Sequence, residues 1–230
     1  MRAIRIKSKA HLFRINGAQL YFESYQENNV FMQIKVVVAD PSHIVYADEV
    51  CEEILLSARE RGTGIARRTP EYISEKILAG KAVIAIAEDG RFAGFSYIET
   101  WGGKKYVANS GLIVAHGFRG IGLAMRIKRR IFQLSRELFP EAKIFSITTG
   151  AAVMKMNYEL GFRPVTFAAL TDDPEFWKGC QGCRNYGILE ANDHRMCLCT
   201  GLLYDPAEHI EVLSPAHPEL VNLKDGEQKN

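Results

Sequence analysis

The chain has no unbroken apolar run of about 18 residues, no marked excess of charge, no internal repeat and no low-complexity linker, and each absence excludes something. Without such a run no helix is expected to span a bilayer. The opening MRAIRIKSKAHLF also lacks the apolar stretch and small-residue cleavage site of an export signal, so a cytoplasmic protein is expected. Lys and Arg total 29 against 27 Asp and Glu, a net charge of +2, which is too balanced for an extended nucleic-acid surface. Cysteine is sparse. Five in 230 residues suit reduced thiols or a metal site better than a secreted disulfide framework. A hydrophobic fraction of 47% can bury one full core plus an extension.

Periodicity and turn signals divide the chain into four parts. Residues 1–31 hold short alternating runs around Asn16-Gly17, the signature of an N-terminal β-hairpin. Residues 32–170 read as a strand (MQIKVVVAD), one or two helices (HIVYADEVCEEILLSARERG) and a helix opened by Thr69 and Pro70. A hairpin around Asp89-Gly90 follows, then the strand KYVANSGLIV, a helix, a strand over Ala142–Thr148 and a helix over Ala151–Leu160. Residues 171–214 form a cysteine-rich segment with a last strand, and residues 215–230 a polar tail. The order predicts an α/β fold around a mixed, mostly antiparallel sheet flanked by helices.

The densest chemical signal is IVAHGFRGIGLAMRIKRR, residues 113–130, where an apolar strand runs through a glycine-rich turn into a basic amphipathic helix. Gly120 and Gly122 permit close backbone approach, and the helix start offers unpaired N–H groups to an anion. Lys128, Arg129 and Arg130 follow on the same helix, either as a solvated face or as phosphate contacts.

The spacing Arg119-x-x-Gly122-x-Ala124 is neither the dinucleotide fingerprint nor a Walker loop. It resembles the acyl-CoA loop of the GNAT superfamily of N-acetyltransferases, and Leu160-Gly161-Phe162 matches the ending of that family's second signature. The resemblance implies a CoA-dependent N-acyltransferase of the GNAT type, with acetyl-CoA or another acyl-CoA as co-substrate. It implies that the backbone of Leu112, Ile113 and Val114 lines the pantetheine arm, and that Arg119, Gly120, Ile121, Gly122, Leu123 and Ala124 cradle the pyrophosphate. One departure stands out. Asn157 occupies the place of the tyrosine that protonates the departing thiolate in many relatives, and Tyr158 lies one residue later, turned ~100° around the helix. Tyr158 is either that acid displaced or a core-packed ring.

Attack of an amine on a thioester needs both partners held in line, a proton acceptor and a hydrogen bond to the carbonyl oxygen. Two residues are candidates for the base: Glu99, the nearest acid on the preceding strand, and His116, a residue type suited to a proton relay. Arg67 and Arg68, ahead of the Thr69 helix, suit a carboxylate-bearing amine such as an amino acid. Gly64-Ile65-Ala66-Arg67-Arg68 together with Ile147-Thr148-Thr149 more loosely resembles the acyltransferase domain of N-acylglutamate synthases, which implies glutamate as acceptor, a place in arginine biosynthesis, and acetyl-CoA or succinyl-CoA as donor.

Cys180-x-x-Cys183 in a glycine-bracketed turn and Cys197-x-Cys199 in a strand-like run present four thiols. Tetrahedral structural zinc, small buried residues with free thiols, and a Cys180–Cys183 disulfide are the three readings. Two function classes follow for the whole chain: an acyltransferase acting on a small amine, or a non-catalytic acyl-CoA-binding, zinc-stabilised interaction module. The N-terminal hairpin also permits pairing with a second copy of the chain.

Overall fold

The computed structural model describes residues 33–62 and 68–209, together with the backbone of strands β1 (His11–Ile15) and β2 (Ala18–Phe22). Residues 1–33 and 34–230 form separate compact units. In the first, β1 and β2 pair antiparallel with Ile15 opposite Ala18, as the Asn16-Gly17 turn predicts.

The second unit is built on a seven-stranded sheet. Its elements are β3 (Ile34–Val38), α1 (Ala47–Arg61), α2 (Pro70–Leu78), β4 (Ala82–Ala87), β5 (Phe92–Trp101), β6 (Tyr106–Val114), α3 (Leu123–Leu138), β7 (Lys143–Thr148), α4 (Ala151–Glu159) and β8 (Arg163–Val165). Two short helices, α5 (Pro174–Lys178) and α6 (Tyr186–Glu190), precede β9 (Thr200–Tyr204). The strand order is β3-β4-β5-β6-β7-β9-β8, and only the β6–β7 pair is parallel.

Local chemistry explains the elements. Thr69 caps α2 by accepting the Tyr72 N–H, with Pro70 at the first helical position where no N–H is needed. α3 is amphipathic and buries Leu123, Ile127, Ile131 and Leu134 against the sheet. Central β4, AVIAIA, is apolar along its whole length and buried at every residue but Ile86, with α3 packed against it. A smaller second core gathers Phe145, Phe167, Leu170, Trp177 and Leu189 around α5 and α6. No helix among the described residues is long and apolar enough to cross a membrane.

One expectation needs correcting. Cys197 and Cys199 do not lie in a strand: β9 begins at Thr200, opposite Thr148, the last residue of β7. With no strand beyond Thr148 to pair with, the chain before Thr200 has no ladder to join.

Candidate functional site

The site begins with a bulge. Phe95 pairs with Ile113 and Tyr97 with Ser110, so Gly111 and Leu112 together face Ser96. Gly111 has φ +64°, and a Cβ there would stand 2.3 Å from the Tyr97 ring, so only glycine fits. Ser96 Oγ fastens the bulge by donating to the Ser110 carbonyl at 3.0 Å.

The bulge bends β6 away from its parallel neighbour. β6 and β7 pair only from Tyr106–Ala108 to Lys143–Phe145, and beyond Ala108 the two strands splay. Asn109–Val114 bonds to β5 along one edge and has no strand along the other. That edge therefore offers N–H and C=O groups to an extended ligand, as an unpaired strand edge does.

Past Val114 the loop turns on buried Phe118 and enters α3 through Gly120 and Gly122, at φ +82° and +76°. A Cβ on either glycine would meet no atom within 4 Å, so both face open space. Gly122 opens α3 with no side-chain cap, leaving the first N–H groups of a 16-residue helix for an anion. This cradle fits a pyrophosphate. Arg119 lies beside it, donating to the Val114 carbonyl at 3.1 Å and pairing with Glu60 at 2.7 Å.

Consecutive residues of β6 serve opposite faces of the sheet. Ser110 donates to Glu99 at 2.6 Å, and Tyr72 from α2 donates to the other carboxylate oxygen. Tyr97, two residues before Glu99, packs edge-on to Tyr72 at 5.9 Å and accepts from Arg68 Nε. The Arg68 guanidinium lies 5.4 Å from the centre of the Tyr72 ring, and Lys76 Nζ 4.4 Å from it. Burial, then the bond to Glu99, pushes the Tyr72 hydroxyl up, and burial pushes Tyr97 up, so both hydroxyls stay protonated and Tyr72 donates to Glu99. Burial lowers Lys76.

On the opposite face Asn109 donates to Ser135 at 2.8 Å and accepts from Lys128 at 3.4 Å. Lys128 is buried against Phe162, and that burial lowers its ammonium to about 7. Lys128 is therefore not part of a solvated basic face. The apolar stripe of α3 is wide enough to carry position 128 into the core, while Arg130 pairs with Glu137 at 3.1 Å.

The structure thus brings Glu99 and Arg68 into one cluster and sets His116 elsewhere, 81% exposed and 3.8 Å from Glu60. Arg67 lies outside the described residues. Asn157 is fully buried with neither amide atom hydrogen-bonded, whereas Tyr158 is 52% exposed. Tyr72, Lys76, Tyr97 and Ser110 were not singled out from sequence. Gly111, a glycine within an apolar strand, is the signal that marks the bulge.

Away from this site Cys180, Cys183, Cys197 and Cys199 line a common cavity. Burial pushes Cys180 up to about 11 and Cys199 up to about 12, so both stand as neutral thiols. Among the described residues no group of three or more His, Cys, Asp or Glu side chains stands arranged to hold a metal ion.

No family model matches the sequence, and no curated protein is similar to it in sequence. Solved folds are more informative. N-acetylglutamate synthase from Neisseria gonorrhoeae, in complex with coenzyme A and N-acetyl-glutamate, matches with a TM-score of 0.52 at 15% identity over 81% of this chain and 36% of that one. This chain therefore spans about a third of the synthase. A Mycobacterium tuberculosis protein in complex with CoA matches with a TM-score of 0.53 at 14% identity, covering 74% of this chain and 98% of its own. A protein from Acinetobacter baylyi described as an acetyltransferase matches at 0.52 and 16%, covering 81% and 96%. With its strand order, its splayed parallel pair and its glycine loop, the chain has the fold of the GNAT N-acetyltransferases.

Proposed function

We propose that the chain is a CoA-dependent N-acyltransferase, with residues 32–170 as the acyltransferase core, acting on the primary amine of a small carboxylate-bearing acceptor. The observation that carries this reading is the Glu99 carboxylate, tied by Ser110 to the point where β6 leaves β7. A thioester laid along the free edge of β6 brings its carbonyl to that point.

The acyl-CoA pyrophosphate sits on the N–H groups from Gly120 to Ala124, and the pantetheine arm runs along Leu112–Val114. Glu99 takes the proton from the acceptor ammonium. Its oxygens each receive one neutral donor, from Tyr72 and Ser110, which fixes the carboxylate and leaves lone pairs for the amine. The freed amine attacks the thioester carbonyl, backbone N–H groups of the β6 edge hold the developing oxyanion, and CoA thiolate departs and takes up the proton that the new amide nitrogen loses, leaving as the thiol. Arg68, over Tyr72 and bonded to Tyr97, sets a positive charge beside the base and pairs with the acceptor carboxylate. Glutamate is the first acceptor to test, because the Neisseria synthase whose fold matches was solved with N-acetyl-glutamate.

The test is a mass-spectrometric panel crossing acetyl-CoA and succinyl-CoA with glutamate, other amino acids and polyamines. Acylated amino acid with stoichiometric CoA release is expected. Product only with polyamines would overturn the Arg68 assignment, and no product with any pair would overturn the enzymatic reading.

A further inference from the structure

Residues 171–199 consist of two short helices joined by turns, ahead of β9. α5 and α6 are five residues each, too short to stand as helices without support. Asp193 and His194 carry φ +50° and +59°, left-handed values that non-glycine residues rarely adopt. Trp177 and Leu189 are the segment's buried side chains in the second core, and Phe176, Tyr186, Cys180, Cys197 and Cys199 pack partly buried against it.

Into this segment the chain brings four of its five cysteines. Cys180 and Cys183 flank a turn closed by the Cys183 N–H on the Cys180 carbonyl at 2.8 Å, and the Asn185 N–H points at Cys183 Sγ at 3.5 Å. Cys197 Sγ lies 4.0 Å from the Asn185 carbonyl, so the chain leading to β9 closes onto the same turn. All four thiols line a single cavity of about 20 Å³, room for one small atom, whose other walls include Ile147, Phe167 and Leu189. An N–H donated to sulfur two residues back is how a Cys-x-x-Cys turn stabilises a thiolate on a metal.

We propose that Cys180, Cys183, Cys197 and Cys199 form a four-thiolate site for one structural zinc ion. As they stand, the side chains do not form a finished cage. Closing to zinc–sulfur distances of about 2.3 Å requires the thiols to rotate inward about their Cα–Cβ bonds. On binding, four thiol protons pass to solvent and four sulfur–zinc bonds form. The set is complete at four, with no position left for water, so the ion staples residues 171–199 to the sheet and takes no part in a reaction. The proposal does not depend on the acyltransferase reading.

The experiment is metal analysis of the full chain purified without chelator, followed by cobalt(II) substitution. One zinc per chain is expected, with a cobalt spectrum showing tetrahedral geometry and thiolate charge transfer. Cys183→Ser and Cys199→Ser should each lower retained zinc at least tenfold after dialysis against a chelator, while Cys51→Ser, on α1, retains it in full. Should a serine variant fail to fold, zinc content and cobalt spectrum of the wild type decide alone. Folded wild type without metal, a Cys180–Cys183 disulfide in reducing buffer, or zinc retained by a Cys183→Ser/Cys199→Ser double variant would overturn the site.

Discussion

Ser110 donates a 2.6 Å hydrogen bond to Glu99, and this bond joins the carboxylate that Tyr72 also holds to the strand whose far edge is open beyond Ala108. Glu99 and Ser110 lie on neighbouring antiparallel strands, where Glu99 pairs with Ala108 and Ser110 sits two residues on, on the same face. The proposed base and thioester track thus lie on two hydrogen-bonded strands, β5 and β6, which fixes their separation without a flexible loop.

Glu99→Gln keeps the size and the Ser110 contact and removes the proton acceptor. Turnover should fall by about 10²–10⁴-fold with acyl-CoA affinity unchanged, read by steady-state kinetics alongside calorimetric CoA titration. Unchanged turnover would remove Glu99 as the base.

Arg68→Ala tests the acceptor pocket. Loss of a charged hydrogen bond to a carboxylate should raise the acceptor KM by roughly 10- to 100-fold and leave the acyl-CoA KM alone. An equal effect on an acceptor lacking a carboxylate would show that Arg68 acts by packing on Tyr72 and Tyr97.

Lys128→Met tests the buried ammonium. Burial places Lys128 at about 7 when folded against an ordinary lysine value of 10.5, so the unfolded chain binds the extra proton between those limits. Stability of the wild type should therefore rise with pH across that window, and below about 7 the full cost remains. The variant should be more stable than wild type at pH 7, by a few kcal/mol at most, with the gap closing towards pH 10.5. Parallel urea melts at several pH values measure it, and a constant gap would contradict the burial.

Asn157 buries both amide atoms without a partner. Asn157→Leu should raise stability by about 1–3 kcal/mol in thermal or urea melts, because a buried unsatisfied amide is removed. Lower turnover in the same variant would assign the amide to bound substrate, and turnover at the wild-type level would leave it a packing residue.

What was legible in the sequence was local. Arg119-x-x-Gly122-x-Ala124 is read within one turn, and Thr69-Pro70 and Asp89-Gly90 mark a helix start and a hairpin through the chemistry of their own backbones. Glu99 was visible as the acid on the strand before Ser110. Its partner Tyr72 was not, because residues 27 apart meet only after α2 packs on the sheet. Lys128 reads as a surface residue in the run Lys128-Arg129-Arg130, and the breadth of the buried stripe on α3 overrides its charge. Cys197 and Cys199 alternate with apolar residues as a strand would, yet β7 ends at Thr148 and offers them no partner.

In the proposed function acyl-CoA sits on the glycine loop with its arm along β6. The direct measurement is calorimetric binding of acetyl-CoA to the wild type and to Gly122→Val. At φ +76° a valine strains the loop, and its side chain fills the open space before the helix. Binding by the wild type, with affinity lowered at least a hundredfold in a variant that still melts cooperatively, is the predicted result. Equal affinity in both proteins, or none in the wild type, would contradict acyl-CoA binding at this loop.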